Sequence, residues 1–115
     1  MSKLQGTGWL IYPDESEIEI TPTPRLIGRT DLAVFLLASG PIGRISKGHI
    51  TVYQESDKFY IEDGKTTVQN KPSVNHTWLI RGGSGEDITG KGKRELKDGD
   101  EIDIAHEVKL KFKTK

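Results

Sequence analysis

Side chains that bind phosphate groups recur along the middle of this 115-residue sequence. They comprise two arginines, a serine followed by a lysine, and a later group of hydroxyl and amide side chains: Arg29, Arg44, Ser46, Lys47, Ser73, Asn75 and Thr77. A guanidinium fork, an ammonium, a hydroxyl and an amide supply the hydrogen-bond donors that a phosphate requires. If loops bring these side chains to one end of a domain, they form a phosphate cradle.

The distribution of charge favours a local site over bulk attraction. Seventeen Lys and Arg balance seventeen Asp and Glu, so the formal net charge is zero. A neutral chain lacks the general attraction of a nonspecific nucleic-acid binder, and we expect no nucleic-acid partner. Residues 22–50, however, carry four basic side chains against one acidic side chain. The positive charge is therefore concentrated in the segment that contains Arg29, Arg44 and Lys47.

The hydrophobic pattern indicates neither a membrane span nor a secretory leader. The longest apolar run, residues 32–38, has seven residues, whereas a membrane helix needs roughly 20. The first residues contain no apolar core of signal-peptide length. We therefore expect a cytoplasmic location and no membrane partner.

Catalytic and metal sites have little support in the sequence. Cysteine is absent, and His49, His76 and His106 lie too far apart to form a metal-binding pair within one element. Residues 85–92 (GEDITGKG) have the glycine and lysine spacing of a nucleotide-binding P-loop. Gly92, however, occupies the position of the required hydroxyl, and no helix pattern follows. We therefore expect no enzyme activity, no cofactor and no metal.

Short alternating segments predict an all-β fold. Eight predicted strands are rich in Ile, Val, Thr and aromatic residues, and they cover residues 9–12, 17–20, 25–28, 49–54, 58–63, 77–81, 101–105 and 107–113. Residues 31–38 could form a short helix, a buried strand or an irregular segment. Residues 81–95 are glycine-rich and are predicted to form one long loop. Such a pattern is typical of a β-sandwich or barrel.

Residues 98–100 (Asp-Gly-Asp) predict a tight turn before the last two strands. Gly99 can adopt positive φ, and the flanking carboxylates can bind backbone N–H groups. The spacing of a calcium-binding EF-hand loop is absent. We therefore predict a structural turn and no calcium site.

Four short motifs occur in an order that resembles the forkhead-associated (FHA) domain family. They are IGR (27–29), SKGH (46–49), SVNHT (73–77) and LKDGDEIDI (96–104). The family pattern runs Gly-Arg, Ser-Arg-x-His, Ser-x-Asn-Gly-Thr and Leu-x-x-Gly-Asp. The resemblance implies that residues 1–115 form a single domain, a β-sandwich of about eleven strands with its ligand loops at one end. It also implies recognition of phosphothreonine peptides.

The resemblance assigns the phosphate contacts to three residues. Arg29 would pair with the phosphate, and Ser46 would donate its hydroxyl to it. Lys47 stands where the family often has Arg, which keeps the charge but loses the two-pronged guanidinium contact.

Peptide contacts and loop architecture are implied for five further residues. Asn75 would hydrogen-bond the peptide backbone beside the phosphothreonine. Arg44 would read the third residue after it, with an acidic preference. Gly28, His49 and Thr77 would be structural residues of the binding loops, Gly28 by admitting a tight backbone and His49 by holding the serine-bearing loop.

Three departures from the family pattern bear on the site. Val74 occupies a position where a threonine hydroxyl often adds a phosphate contact. His76 replaces the usual glycine of Asn-Gly-Thr, so a left-handed backbone there would carry a cost. The segment 64–72 (GKTTVQNKP) is longer than the usual link. It leaves residues 66–67 (Thr-Thr) as a competing hydroxyl pair.

The leading hypothesis is a noncatalytic, monomeric module that binds a threonine-phosphorylated protein, the substrate of a Ser/Thr kinase, in signalling. The alternative is an FHA-like sandwich that binds protein partners without phosphate or associates with itself. The departures at positions 74 and 76 and the long segment 64–72 motivate this alternative.

Overall fold

Ten short strands and one helical turn make up the part of the chain that the computed structural model describes, which is residues 7–32, 48–64 and 76–114 without the side chains of residues 29 and 30. The strands are β1 (Gly8–Ile11), β2 (Glu17–Ile20), β3 (Arg25–Ile27), β4 (Ile50–Glu55), β5 (Lys58–Asp63), β6 (Thr77–Arg81), β7 (Ser84–Asp87), β8 (Arg94–Leu96), β9 (Glu101–Ile104) and β10 (Val108–Thr114). The turn is α1 (Arg29–Leu32). The all-β prediction is confirmed, with ten strands in the described residues against about eleven expected.

The strands form two antiparallel sheets. The six-stranded sheet has the order β2-β1-β10-β9-β6-β7, and the four-stranded sheet has the order β3-β4-β5-β8. Alternation along β10 shows why the sheets face each other: Val108, Leu110 and Phe112 are buried, while the lysines between them are exposed. The ring of Phe112 lies 5.5 Å from the ring of Phe59 in β5, which links the two sheets across the core. The predicted β-sandwich is therefore confirmed.

The prediction of one long loop over residues 81–95 is wrong. This stretch contains β7, and β8 begins within it at Arg94. The sequence of β7, SGED, has no β-branched or aromatic residue, so its composition does not indicate a strand. β7 is nevertheless an edge strand, held to β6 by backbone pairing of Trp78 with Asp87 and of Arg81 with Ser84. Backbone pairing does not depend on side-chain type.

Helix α1 begins inside the segment for which the sequence left helix, strand and irregular structure open. Gly28 is its N-cap: the Gly28 carbonyl accepts from the Leu32 N–H at 3.1 Å, and the Gly28 N–H donates to Asp31 Oδ2 at 3.0 Å. This back-bond from the third helical residue to the N-cap is half of a capping box. Residues 33–38 lie outside the described residues.

Strand register brings several chain connections to the same end of the sandwich. Ile27 pairs with Ile50, and Ile50 pairs with Asp63 in the four-stranded sheet. In the other sheet, Thr77 pairs with Ile104, and the next residue of β6 pairs with the last residue of β7. We call this the His49 end.

An ion pair between the half-exposed Arg81 and the buried Asp100 closes the opposite end, which we call the Asp100 end. Asp100 is 1% exposed, and it accepts hydrogen bonds from Arg81 Nε at 2.8 Å and Arg81 Nη2 at 2.6 Å. The N–H of Lys97 donates to the same carboxylate at 2.8 Å. Gly99 has a φ of 90°, so the predicted tight turn at 98–100 is confirmed. The side chain of Asp100 therefore has a structural role.

Gly8 provides the most direct test of core packing. A Cβ at this position would lie 2.8 Å from Cε1 of Phe59 and 3.0 Å from Cε1 of Phe112. Because both rings are buried, Gly8→Ala is expected to lower the free energy of unfolding by about 1–3 kcal/mol in denaturant titrations. Gly85→Ala is the matched control, since its Cβ would meet Ile80 at an ordinary 3.7 Å. Equal effects of the two substitutions would contradict the packing described for Gly8.

Candidate functional site

A buried histidine joins two loop ends at the His49 end. His49 is fully buried, and its Nε2 lies 3.0 Å from the backbone carbonyl of His76. A carbonyl can only accept, so Nε2 carries the proton. The N–H of Ala105 donates to the same carbonyl at 3.0 Å, and the His49 carbonyl accepts from the N–H of Gly64 at 2.9 Å. His49, the residue before β4, is thereby linked to the residue before β6 and to the residue after β5, and the carbonyl of His76 is also linked to the residue after β9.

The electrostatics of His49 follow from its burial. Burial lowers the pKa of His49, although the hydrogen bond to His76 and the nearby Asp63 carboxylate oppose the shift. The net direction is downward, because an imidazolium loses more hydration in the interior than these two neighbours return. His49 is therefore held neutral near pH 7, in the tautomer that donates from Nε2.

A second buried network lies beside the histidine. Asp63, the last residue of β5, is fully buried, and its Oδ2 accepts from the hydroxyl of Thr77 at 2.5 Å. Its Oδ1 accepts from the N–H of Gly90 at 3.3 Å. The N–H of Thr77 donates to the hydroxyl of Thr89 at 3.0 Å. Thr77 thus connects β5, β6 and the turn after β7 through both its side chain and its backbone.

His76 adopts the left-handed conformation, for which the sequence indicated a cost. Its φ is 73°, a value that costs a non-glycine residue about 1–2 kcal/mol. Its ring Nδ1 lies 2.9 Å from Oδ2 of Asp87, and the other oxygen of Asp87 accepts from the N–H of Thr89 at 3.0 Å. Burial raises the pKa of Asp87, but the hydrogen bonds from Thr89 and the contact with His76 outweigh it and hold the pKa below its usual range. The carboxylate is therefore a stable anchor for the imidazole.

The remaining site residues divide into those described and those outside the described residues. Gly28, the N-cap of α1, is buried at the His49 end together with His49 and Thr77. Arg29 is the first residue of α1, and its side chain is not among those described. Four other residues with implied ligand contacts lie outside the described residues: Arg44, Ser46, Lys47 and Asn75. Val74 lies outside them as well.

Two acidic residues of this network were not singled out in the sequence. Asp63 follows Phe59 and Ile61 at alternate positions, and all three are buried. The period of a strand therefore places its carboxylate on the inward face, which is a signal for a buried acceptor. Asp87 gives no such signal, because β7 lacks a strand pattern.

The P-loop resemblance of residues 85–92 has a structural explanation. Gly85 lies within β7, and the turn that follows is folded around protein groups. The N–H of Gly90 donates to Asp63, and the N–H of Lys91 donates to the Ile88 carbonyl at 3.0 Å. These backbone donors are directed at acceptors of the protein, so they do not form a phosphate cradle. Among the described residues, no group of three or more His, Cys, Asp and Glu side chains is arranged to hold a metal ion.

Comparison with known proteins identifies the family of this domain. A family model described as the FHA domain matches residues 26–105. The FHA domain of an Arabidopsis thaliana hypothetical protein superimposes with a TM-score of 0.66 at 17% identity, covering 98% of this chain and 92% of the other. The FHA domain of human APLF in complex with an XRCC1 bisphospho peptide superimposes with a TM-score of 0.63 at 15% identity, covering 94% and 98%.

A third structure comes from work on phosphothreonine-dependent FHA domain interactions, with a TM-score of 0.61 at 16% identity and coverage of 93% and 95%. The comparison with curated protein sequences gives no match. No helix in the described ranges combines the length and apolarity of a membrane span.

The neutral, buried state of His49 predicts a specific pH dependence of stability. Unfolded histidine binds a proton near pH 6.5, whereas the folded group does so only at lower pH, so the free energy of unfolding falls as the pH drops below about 6.5. His49→Gln is expected to lower stability by about 1–3 kcal/mol at neutral pH. It should also flatten this decline, as measured by urea unfolding between about pH 7.5 and 5.

The exposed His106 provides the control for this experiment. Asp87 and other carboxylates with lowered pKa affect stability mainly below about pH 5, at the lower limit of the measured window. His106→Gln is expected to retain the decline. A decline of the same steepness in His49→Gln and in the unsubstituted protein would show that His49 is not its source.

Proposed function

Because the chain belongs to the forkhead-associated domain family, whose members characteristically bind phosphothreonine, we propose that it is a noncatalytic module that binds threonine-phosphorylated segments of partner proteins. The observation that carries this proposal is the hydrogen bond from His49 to the His76 carbonyl. It fixes, on one end of the sandwich, the described ends of the two loops that contain the motif residues.

Phosphate recognition rests on complementary charge. A phosphothreonine carries roughly −1.5 to −2 charges and three acceptor oxygens. Arg29 supplies a guanidinium, Ser46 a hydroxyl and Lys47 an ammonium, which together neutralise the charge and satisfy the oxygens. An unphosphorylated threonine offers these donors no anion. Specificity for the modified residue therefore comes from charge as much as from shape.

Asn75 and Arg44 complete the recognition of the peptide. Asn75 immediately precedes His76, whose carbonyl accepts from both His49 and Ala105, and its amide binds the peptide backbone beside the phosphothreonine. Arg44 favours an acidic side chain at the third residue after it. Gly28, His49 and Thr77 hold the loops, which reduces the ordering that peptide binding must supply.

The partner is a protein phosphorylated by a Ser/Thr kinase in a signalling pathway. This is supported by related structures, since the human APLF domain is bound to a bisphospho peptide and the FhaA FHA domain is complexed with the intracellular domain of Rv3910. A monomeric state and a cytoplasmic location remain predictions of the sequence.

Calorimetric titration tests the proposed function. The unsubstituted domain is titrated with three peptides of one sequence, which contain phosphothreonine, phosphoserine or plain threonine, and their affinities are compared. We expect binding of the phosphothreonine peptide only, or at least roughly tenfold more tightly than the others. Arg29→Ala should weaken binding by roughly tenfold or more, because it removes a charge-assisted contact to the phosphate.

Lys58→Ala is the matched control, since it also removes one positive charge but lies at the start of β5, toward the Asp100 end. It is expected to leave the affinity unchanged within about twofold. Equal affinity for all three peptides, or full affinity of Arg29→Ala, would contradict the proposal. A partner that is captured equally well after phosphatase treatment would instead support phosphate-independent binding.

A further inference from the structure

The imidazole of His76 is held in a fixed position at the point where the chain enters β6. Its backbone is left-handed, its carbonyl accepts from His49 and Ala105, and its Nδ1 is bonded to Asp87. The ring also lies 5.5 Å from the ring of Trp78. A glycine would occupy this backbone conformation at lower cost. The structure thus accepts backbone strain to place an ionisable ring directly after Asn75.

Asp87 determines which nitrogen of the imidazole is available. The carboxylate accepts the Nδ1 proton, so Nε2 is the remaining polar atom of the ring. Within the described residues Nε2 forms no hydrogen bond, and the side chain is 50% exposed. Neutral His76 therefore presents a lone pair to solvent at Nε2, whereas protonated His76 presents a charged N–H donor.

Charged and titratable groups surround this ring on several elements. Asp87 faces it from β7, and Asp103 on β9 pairs with Trp78 across the sheet. The turn after β9 contains His106, which is stacked on Trp78 at 3.8 Å, and Glu107. His49 and Asp63 lie on the buried side of the loop. Carboxylates predominate among these neighbours, so any attraction for a peptide carboxylate at this place has to come from the imidazole itself.

We propose that His76, anchored by Asp87, is a specificity-determining residue that binds a carboxylate side chain flanking the phosphothreonine of the bound peptide. The inference rests on the proposed function and assigns a role to a residue that departs from the family pattern. Nε2–H of the imidazolium donates to the peptide carboxylate, while Nδ1–H stays on Asp87.

This arrangement makes the preference for an acidic peptide depend on pH. Histidine side chains in general change charge between about pH 5 and 8. A protonated ring donates from Nε2 and carries a charge, so in that state a glutamate at the recognised position binds better than a glutamine. A neutral ring presents only a lone pair at Nε2, which offers no attraction to a carboxylate. Because the phosphate itself titrates near pH 6, the informative quantity is the affinity ratio of matched peptides, in which the phosphate contribution cancels.

The experiment uses phosphothreonine peptides that carry one Glu or one Gln at each flanking position in turn. At the recognised position, the domain is expected to prefer Glu by roughly fivefold at about pH 6 and by less than about twofold at about pH 8. His76→Gly retains a residue suited to positive φ, so it should keep phosphate-dependent binding of the Gln peptide but lose the preference. His76→Asn provides a second variant that tolerates this backbone.

His106 supplies a closely matched control. It also has positive φ, at 59°, and its Nδ1 lies 2.9 Å from Oδ2 of Asp103. His106→Gly is therefore expected to keep the full preference for Glu. Asp87→Asn should reduce the preference at about pH 6, because an amide accepts the Nδ1 proton less strongly than a carboxylate and anchors the ring less firmly.

The outcomes separate this inference from the proposed function. Suppose that binding depends on phosphothreonine but the ratio of affinities for the Glu and Gln peptides is the same in the unsubstituted domain and in His76→Gly. This result would overturn the role of His76 and leave the proposed function intact. Absence of phosphothreonine binding in the unsubstituted domain would overturn both. A nuclear magnetic resonance titration gives a direct readout: the His76 ring signals should shift more with the Glu peptide than with the Gln peptide.

Discussion

The hydrogen bond between His49 and the His76 carbonyl is the contact on which the His49 end depends. Neither partner belongs to a strand, so sheet pairing alone would not fix their separation. The bond links the segment before β4 to the segment before β6, and these strands belong to different sheets. Burial of the donor lowers the pKa of His49, although the hydrogen bond itself opposes this shift. The positions of two loop ends thus depend on one buried imidazole.

Thr77 and Asp63 reinforce this link with a charged acceptor. The carboxylate of Asp63 takes hydrogen bonds from the Thr77 hydroxyl and the Gly90 N–H, and burial makes the loss of a donor costly. The turn after β7 resembles a nucleotide-binding loop in sequence, but its backbone donates a hydrogen bond to the carboxylate of Asp63. Buried polar groups with specific partners therefore give this end a defined shape, which a purely apolar contact would not.

Strand alternation made most of the fold predictable, whereas the site residues came from the order of the motifs and from the structure. Alternating segments such as β10 located eight strands, because burial on one face imposes a period of two. β7 escaped prediction because edge pairing uses backbone groups and leaves no side-chain pattern. The residues implied in phosphate binding came from the order of four motifs, not from periodicity. The partnership of His76 with Asp87 required the structure, since eleven residues separate them.

Heteronuclear NMR of the labelled domain during titration with a phosphothreonine peptide tests the central claim most directly. The claim is that the peptide binds at the His49 end, on loops held by the His49 hydrogen bond. Amide signals of residues near this bond, such as Gly64, Thr77 and Gly90, should shift, while those of Gly82, Gly83 and Gly99 toward the other end should not. Shifts confined to the Asp100 end, or identical shifts with the unphosphorylated peptide, would contradict the account.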